Sequence, residues 1–224
     1  MIYYNYSPNQ LEQEAEKLLK NFDAERFVKI KPIDVYEVIE KCLDVPYDWK
    51  YLTPDQSYLG LTAFDDGYIW VWDKPFYEKG MRPQKLSVKK GTIIIDATLT
   101  ESDNRGRENF TVLHEVFHQI LHEKCFRHSK INYSHMTKSE TIDGKRKQPM
   151  TALERIESQA NACAAAFLMP RDLTKDTFKK IWSFNYKLDT TSYDSYSIIA
   201  QLASEFNVSK QAMKYRLINL GLAK

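Results

Sequence analysis

The period of the apolar positions changes along the chain and marks out its elements. Residues 8–21 place Leu11, Ala15, Leu18 and Leu19 at the spacing of an amphipathic helix. Residues 33–43 repeat that spacing with Val35, Val38, Ile39 and Cys42, and Pro32 stands where a first helical turn tolerates proline. The middle shifts to strand-like runs. Residues 58–64 and 68–72, joined by Asp65-Asp66-Gly67, predict a β-hairpin with the Asp-Gly step as its tight turn. A β-branched run follows at 92–98, between Gly91 and a polar loop at 101–106. Helical spacing then returns over 109–124, with Phe110, Leu113, Phe117, Ile120 and Leu121 as the apolar stripe.

Residues 122–150 are polar and carry seven Lys or Arg against three acids, which predicts a long basic loop. A helix over 151–169 opens on a Thr151-x-x-Glu154 capping box and stops at Pro170. The tail predicts two short helices, 197–206 and 209–220, with a turn at Asn207-Val208 and Gly221 as a C-cap. Together these elements predict an α+β fold. A small antiparallel sheet packs on helices in a domain over 1–175, and 176–224 forms a C-terminal helical subdomain.

Composition narrows the function. With 32 Lys and Arg against 30 Asp and Glu, the net charge is +2, so the chain is no general polyanion binder. Hydrophobic residues at 43% support a real core and exclude bulk disorder. Seven glycines in 224 residues argue against Gly-rich nucleotide loops. No apolar run approaches the roughly 18 residues of a membrane span. The first residues lack the basic-then-apolar order of a signal peptide. Three scattered cysteines, Cys42, Cys125 and Cys163, suit reduced thiols, and a cytoplasmic location is expected.

The chemistry concentrates in one place. All five His lie between 114 and 135, and two of them form His114-Glu115-Val116-Phe117-His118. A shuffled chain with the same 5 His and 15 Glu would contain HExxH with a probability of about 0.006, so the match is informative. Positions i and i+4 share one helix face, so both imidazoles can grip one Zn²⁺. Glu115 lies about 100° round the helix, which suits a general base acting on a metal-activated water better than a ligand. A catalytic zinc needs a third protein ligand and an open position. Candidates are His122, Glu123, His128, His135, Asp143, Glu154 and Glu157. Glu154 already has a place in the capping box. Glu157 is favoured, one turn into an Ala-rich helix whose small residues permit close approach, with Asn161 able to orient a ligand from beneath.

These residues carry a resemblance. His114-Glu115-x-x-His118-x-x-x-His122, then Glu157-x-x-Ala160-Asn161-x-x-Ala164 and Leu168-Met169-Pro170, resemble the ImmA/IrrE family of metallopeptidases, small zincins of the thermolysin type. The likeness covers about 91–170 and extends to the helical ending. It implies that His114, His118 and Glu157 bind zinc, that Glu115 is the base, and that the protein substrate is a helix-turn-helix repressor whose cleavage releases transcription. Two features depart from the pattern: the segment between His118 and Glu157 is longer and more basic, and Gln159 stands where an acid is common.

Several roles stay open at this level. His122 continues the His row and fits a place behind the ligands, a place facing substrate, or a helix-end His near the negative dipole. For a developing oxyanion the sequence offers His122, Arg127, His128, Tyr133 and His135 as donors but does not choose among them, and each alone is more often a loop residue than a catalyst. The run at 92–98 is expected either to hold an extended substrate by strand addition or to be core sheet. The tail has helix-turn-helix spacing, but a charge excess of three favours packing on the body over DNA contact. The competing functional classes are a DNA-binding regulator with a structural zinc and a toxin–antitoxin component, neither hydrolytic.

Overall fold

The structure is a computed structural model; it describes residues 5–101, 105–126, 134–138 (main chain alone) and 150–224. Among the described residues it has seven α-helices and two small sheets. The first helix, α1 (Pro8–Asp23), starts where Ser7 and Gln10 exchange the two hydrogen bonds of a capping box, and it buries Leu11, Ala15, Leu18 and Leu19. The second apolar repeat folds as a single α-turn, α2 (Val35–Val38), that widens into a π-turn over Ile39–Leu43.

Strands β1 (Tyr47–Lys50), β2 (Tyr58–Ala63), β5 (Ile93–Asp96) and β6 (Ser134–Lys138) form a mixed sheet in the order β1-β5-β2-β6, and β3 (Gly67–Val71) pairs with β4 (Gln84–Val88) in a second sheet. The main sheet is not purely antiparallel, because β1 runs parallel to β5. The predicted hairpin of 58–64 with 68–72 does not form. Both edges of β2 are already occupied, antiparallel, by β5 and β6, so β3 has no edge to pair with and leaves for β4. Gly67 lacks the positive φ that a two-residue hairpin turn demands. The Asp66 carboxylate instead accepts the Lys90 N–H at 2.8 Å.

Strand β5 is interior, not an edge. Ile93 and Ile95 join the helical core, whereas Ile94 packs with Leu61, Ile69, Val71 and Val88 beneath the β3–β4 ribbon. Burial on both faces explains its unbroken β-branched run. The predicted loop over 122–150 is corrected at two places: 122–126 continue a helix, and 134–138 pair with β2 as β6. The polar sequence of β6 concealed a strand that is joined to the sheet through its main chain. The pairing of β2 with β6 also contains a bulge. Tyr58 faces Lys138 and Gly60 faces Thr137, so Leu59 is one residue extra.

Helix α3 (Arg105–Phe126) lies between the main sheet and α4 (Ala152–Leu168), so it is buried nearly all round. Its apolar surface includes Val112 and Val116, whereas Ile120, expected in the stripe, is exposed. The capping box of Thr151 with Glu154 opens α4 as predicted. An eleven-residue helix that the polar sequence concealed, α5 (Arg171–Ile181), follows Pro170. In the tail, α6 (Tyr193–Glu205) and α7 (Lys210–Asn219) meet at Asn207, whose φ of 51° makes the turn. Leu202, Met213 and Leu217 belong to the same apolar cluster as α1, α3 and α4. Arg216 donates to both carboxylate oxygens of Glu12 and to the Met169 carbonyl, so α7 is fastened to α1 and to the end of α4.

Candidate metal centre

Two helices build the site. Helix α3 carries His114 and His118 one turn apart on the side facing α4, and α4 presents Glu157 from its second turn. Ala160 and Ala164 are buried on α4 and allow the two helices to lie close together. His118 Nε2 is 2.8 Å from His114 Nε2 and 3.1 Å from one Glu157 oxygen, and His114 Nε2 is 3.4 Å from the other. Both imidazoles are fully buried, whereas the Glu157 side chain is 28% exposed and gives the cluster its outer side.

This arrangement fits a metal ion. Zinc bonds of about 2.0–2.2 Å in a tetrahedral sphere set ligand atoms about 3.3–3.6 Å apart, and the three groups here, 2.8–3.4 Å apart, would need to part by only a few tenths of an ångström to admit the ion. The chemistry agrees. His114 Nδ1 donates to Asn161 Oδ1 at 2.8 Å, so in the neutral ring Nε2 keeps its lone pair and turns it toward His118 and Glu157. Burial works against charge on His114. The Glu157 carboxylate, aided by the Glu115 charge and by Asn161, outweighs it and holds the pKa above the usual imidazole value. The pocket is therefore one that attracts positive charge.

Glu115 points the other way round α3, toward the sheet. Its carboxylate is fully buried and accepts the Thr62 hydroxyl at 2.6 Å. Gly60 makes room for it: a Cβ there would stand 2.5 Å from a Glu115 oxygen. Gly60 and Thr62 are absent from the sequence-level reading, although a glycine inside Leu59-Gly60-Leu61 was a legible sign of close backbone approach. His122 lies behind His118 with its Nδ1 2.9 Å from His118 Nδ1, and its Nε2 is 3.0 Å from Gln159 Oε1.

Two of the other ligand candidates are engaged elsewhere. Glu123 pairs with Lys90 at 2.7 Å, and Glu154 accepts from Thr151 in the capping box. His128, Asp143, Arg127 and Tyr133 lie outside the described residues. The main chain of His135 stands opposite Thr62 in the pairing of β2 with β6, and its side chain is outside the description.

Among comparisons with known proteins, the family model of the M78 peptidases, described as the IrrE N-terminal-like domain, matches residues 84–218. No curated protein matches the chain. The matched span holds both sequence halves of the site, the HExxH helix and the helix of Glu157, and it covers well over half of the chain. The chain belongs to the ImmA/IrrE family of metallopeptidases.

Proposed function

We propose that this peptidase is a zinc-dependent endopeptidase in which His114, His118 and Glu157 hold the ion and Glu115 is the general base. The observation that carries the reading is the convergence of the three ligand atoms; Glu115 stands on the same helix with its carboxylate held at the sheet by Thr62. Bound zinc supplies Lewis acidity toward a water and the scissile carbonyl. Asn161 holds the His114 ring, and Thr62 holds the carboxylate of Glu115, the group proposed to accept the proton of the attacking water. Glu115 then passes that proton to the leaving amine.

The substrate proposed is a helix-turn-helix repressor in the cytoplasm, and the support for it is the family resemblance. No helix among the described residues is long and apolar enough to cross a membrane. The proposed domains are 1–175, the peptidase domain, and 176–224, a helical subdomain that packs on it, with α5 (Arg171–Ile181) running across the boundary. A DNA-binding regulator with a structural zinc is the weaker reading. Arg216 is buried against Glu12, and Lys210 donates to the Tyr196 hydroxyl. Phosphate contacts would have to come from the few remaining cations of the tail.

Metal analysis of wild type, Glu157→Ala and Glu115→Gln, with cleavage of a co-encoded repressor as readout, tests the proposal. Zinc is expected in wild type and Glu115→Gln, and cleavage in wild type alone. Full zinc occupancy in Glu157→Ala would remove that ligand from the scheme.

A further inference from the structure

We propose that Gln159 and His122 form a positioning relay that fixes the tautomer of His118 and turns its Nε2 lone pair toward the metal. The inference rests on the zinc reading above, and it assigns a role to Gln159, the residue that departs from the family pattern. The chain of reasoning starts at the amide. Gln159 Oε1 is an acceptor only, so the His122 Nε2 at 3.0 Å from it must carry a hydrogen. The neutral His122 ring then has its lone pair on Nδ1. His118 Nδ1 lies 2.9 Å from that lone pair and must donate the hydrogen between them. His118 therefore keeps its own lone pair on Nε2, the atom beside His114 Nε2 and Glu157.

Burial gives the relay its force. His118, His122 and Gln159 are all at most 4% exposed, so water does not compete for these ring nitrogens. An amide at 159 brings no charge of its own, so what it sets is the direction of the two hydrogen bonds. Asn161 does the same for His114 in one step. Each ligand imidazole is thus oriented by an amide on α4, one directly and one through a second ring.

The test combines two measurements. Nitrogen-15 NMR of the histidine rings in the metal-free protein reads the tautomers directly, and competition with a chelator reads zinc affinity. Wild type is expected to show His118 protonated at Nδ1. Gln159→Leu, which lacks the acceptor, should lose that signature and bind zinc about 10–100-fold more weakly. Gln159→Glu, which keeps an acceptor, should stay within a few-fold of wild type. His118 protonated at Nε2 in wild type would overturn the relay without any variant. So would a folded Gln159→Leu protein with unchanged His118 signals and unchanged zinc affinity. A wild-type protein with the Nδ1–H tautomer that takes up no zinc would instead overturn the zinc reading and leave the relay standing.

Discussion

Arg216 in the last helix closes a two-pronged ion pair on Glu12 in the first, 204 residues earlier in the sequence. Both side chains are below a tenth exposed, and the guanidinium also donates to the Met169 carbonyl just before Pro170. Breaking such a pair from one side leaves a buried charge without its partner. Arg216→Ala is therefore expected to cost about 3–5 kcal/mol in chemical denaturation. Replacing both residues together, Glu12→Leu with Arg216→Met, should cost far less.

The same pair makes stability depend on acid. Burial pushes the Glu12 pKa up, but the hydrogen bonds and charge of Arg216, with help from Arg171, outweigh it and hold the pKa below its ordinary value of 4.5. The folded state thus favours the ionised carboxylate. Its contribution is fully present above that ordinary value and is lost as pH falls through the lowered folded one. A denaturation series against pH should show Glu12→Gln losing most relative to wild type at neutral pH. The two proteins should converge below pH 4.5.

Gly60 sits where the Glu115 carboxylate meets the sheet. In Gly60→Ala the new Cβ would be 2.5 Å from a carboxylate oxygen, and the side chain must move. With Glu115 as the proposed general base, peptidase turnover should fall by about 10²–10⁴-fold, the usual contribution of such a group, while the content of the proposed zinc stays at the wild-type level. Loss of zinc in this variant would show that the strand supports the metal ligands and not the base.

Thr62→Val removes the hydroxyl that donates to Glu115 at 2.6 Å and keeps the β-branched shape. A hydrogen bond to a charged group contributes about 1.5–3 kcal/mol. If that holds Glu115 in its working position, kcat should fall about 10–100-fold with KM little changed, and Thr62→Ser should recover most of it. A matching rise in KM for Thr62→Val would place the hydroxyl in substrate binding.

Zinc binds the folded state alone in this scheme, so thermal stability should follow its concentration. An excess of zinc at about 100 times its dissociation constant adds about 2.7 kcal/mol. Wild type should show a corresponding rise in Tm that Glu157→Ala lacks.

The helices that carry the site were readable because their signals are local. HExxH, the Thr151 capping box and the Ala-rich face of α4 each lie within a few turns of one helix. The sheet was less readable because strand pairing is settled by distant neighbours. Asp65-Asp66-Gly67 has the composition of a hairpin turn, yet β5 and β6 already occupy both edges of β2. Strand β6 was hidden in a polar run, and α5 in a segment with three buried positions, Thr174, Thr177 and Phe178, of which only the last is apolar. Thr62 and Gly60 could not be tied to Glu115 from sequence, because more than fifty residues separate them and only the packing of α3 on β2 brings them together.

The bulge at Leu59 gives that packing a further meaning. The extra residue lets Leu59 join the helical core while its neighbour Gly60 faces Glu115, so two consecutive positions serve the same side of the sheet. Sliding β2 by one place would bring a leucine, from 59 or 61, over the carboxylate and turn Thr62 away. The alignment of one strand with its neighbours is therefore also the coordinate that locates the Glu115 carboxylate, the proposed proton acceptor, and an insertion or deletion between Tyr58 and Thr62 is expected to abolish the proposed hydrolysis even in a chain that still folds.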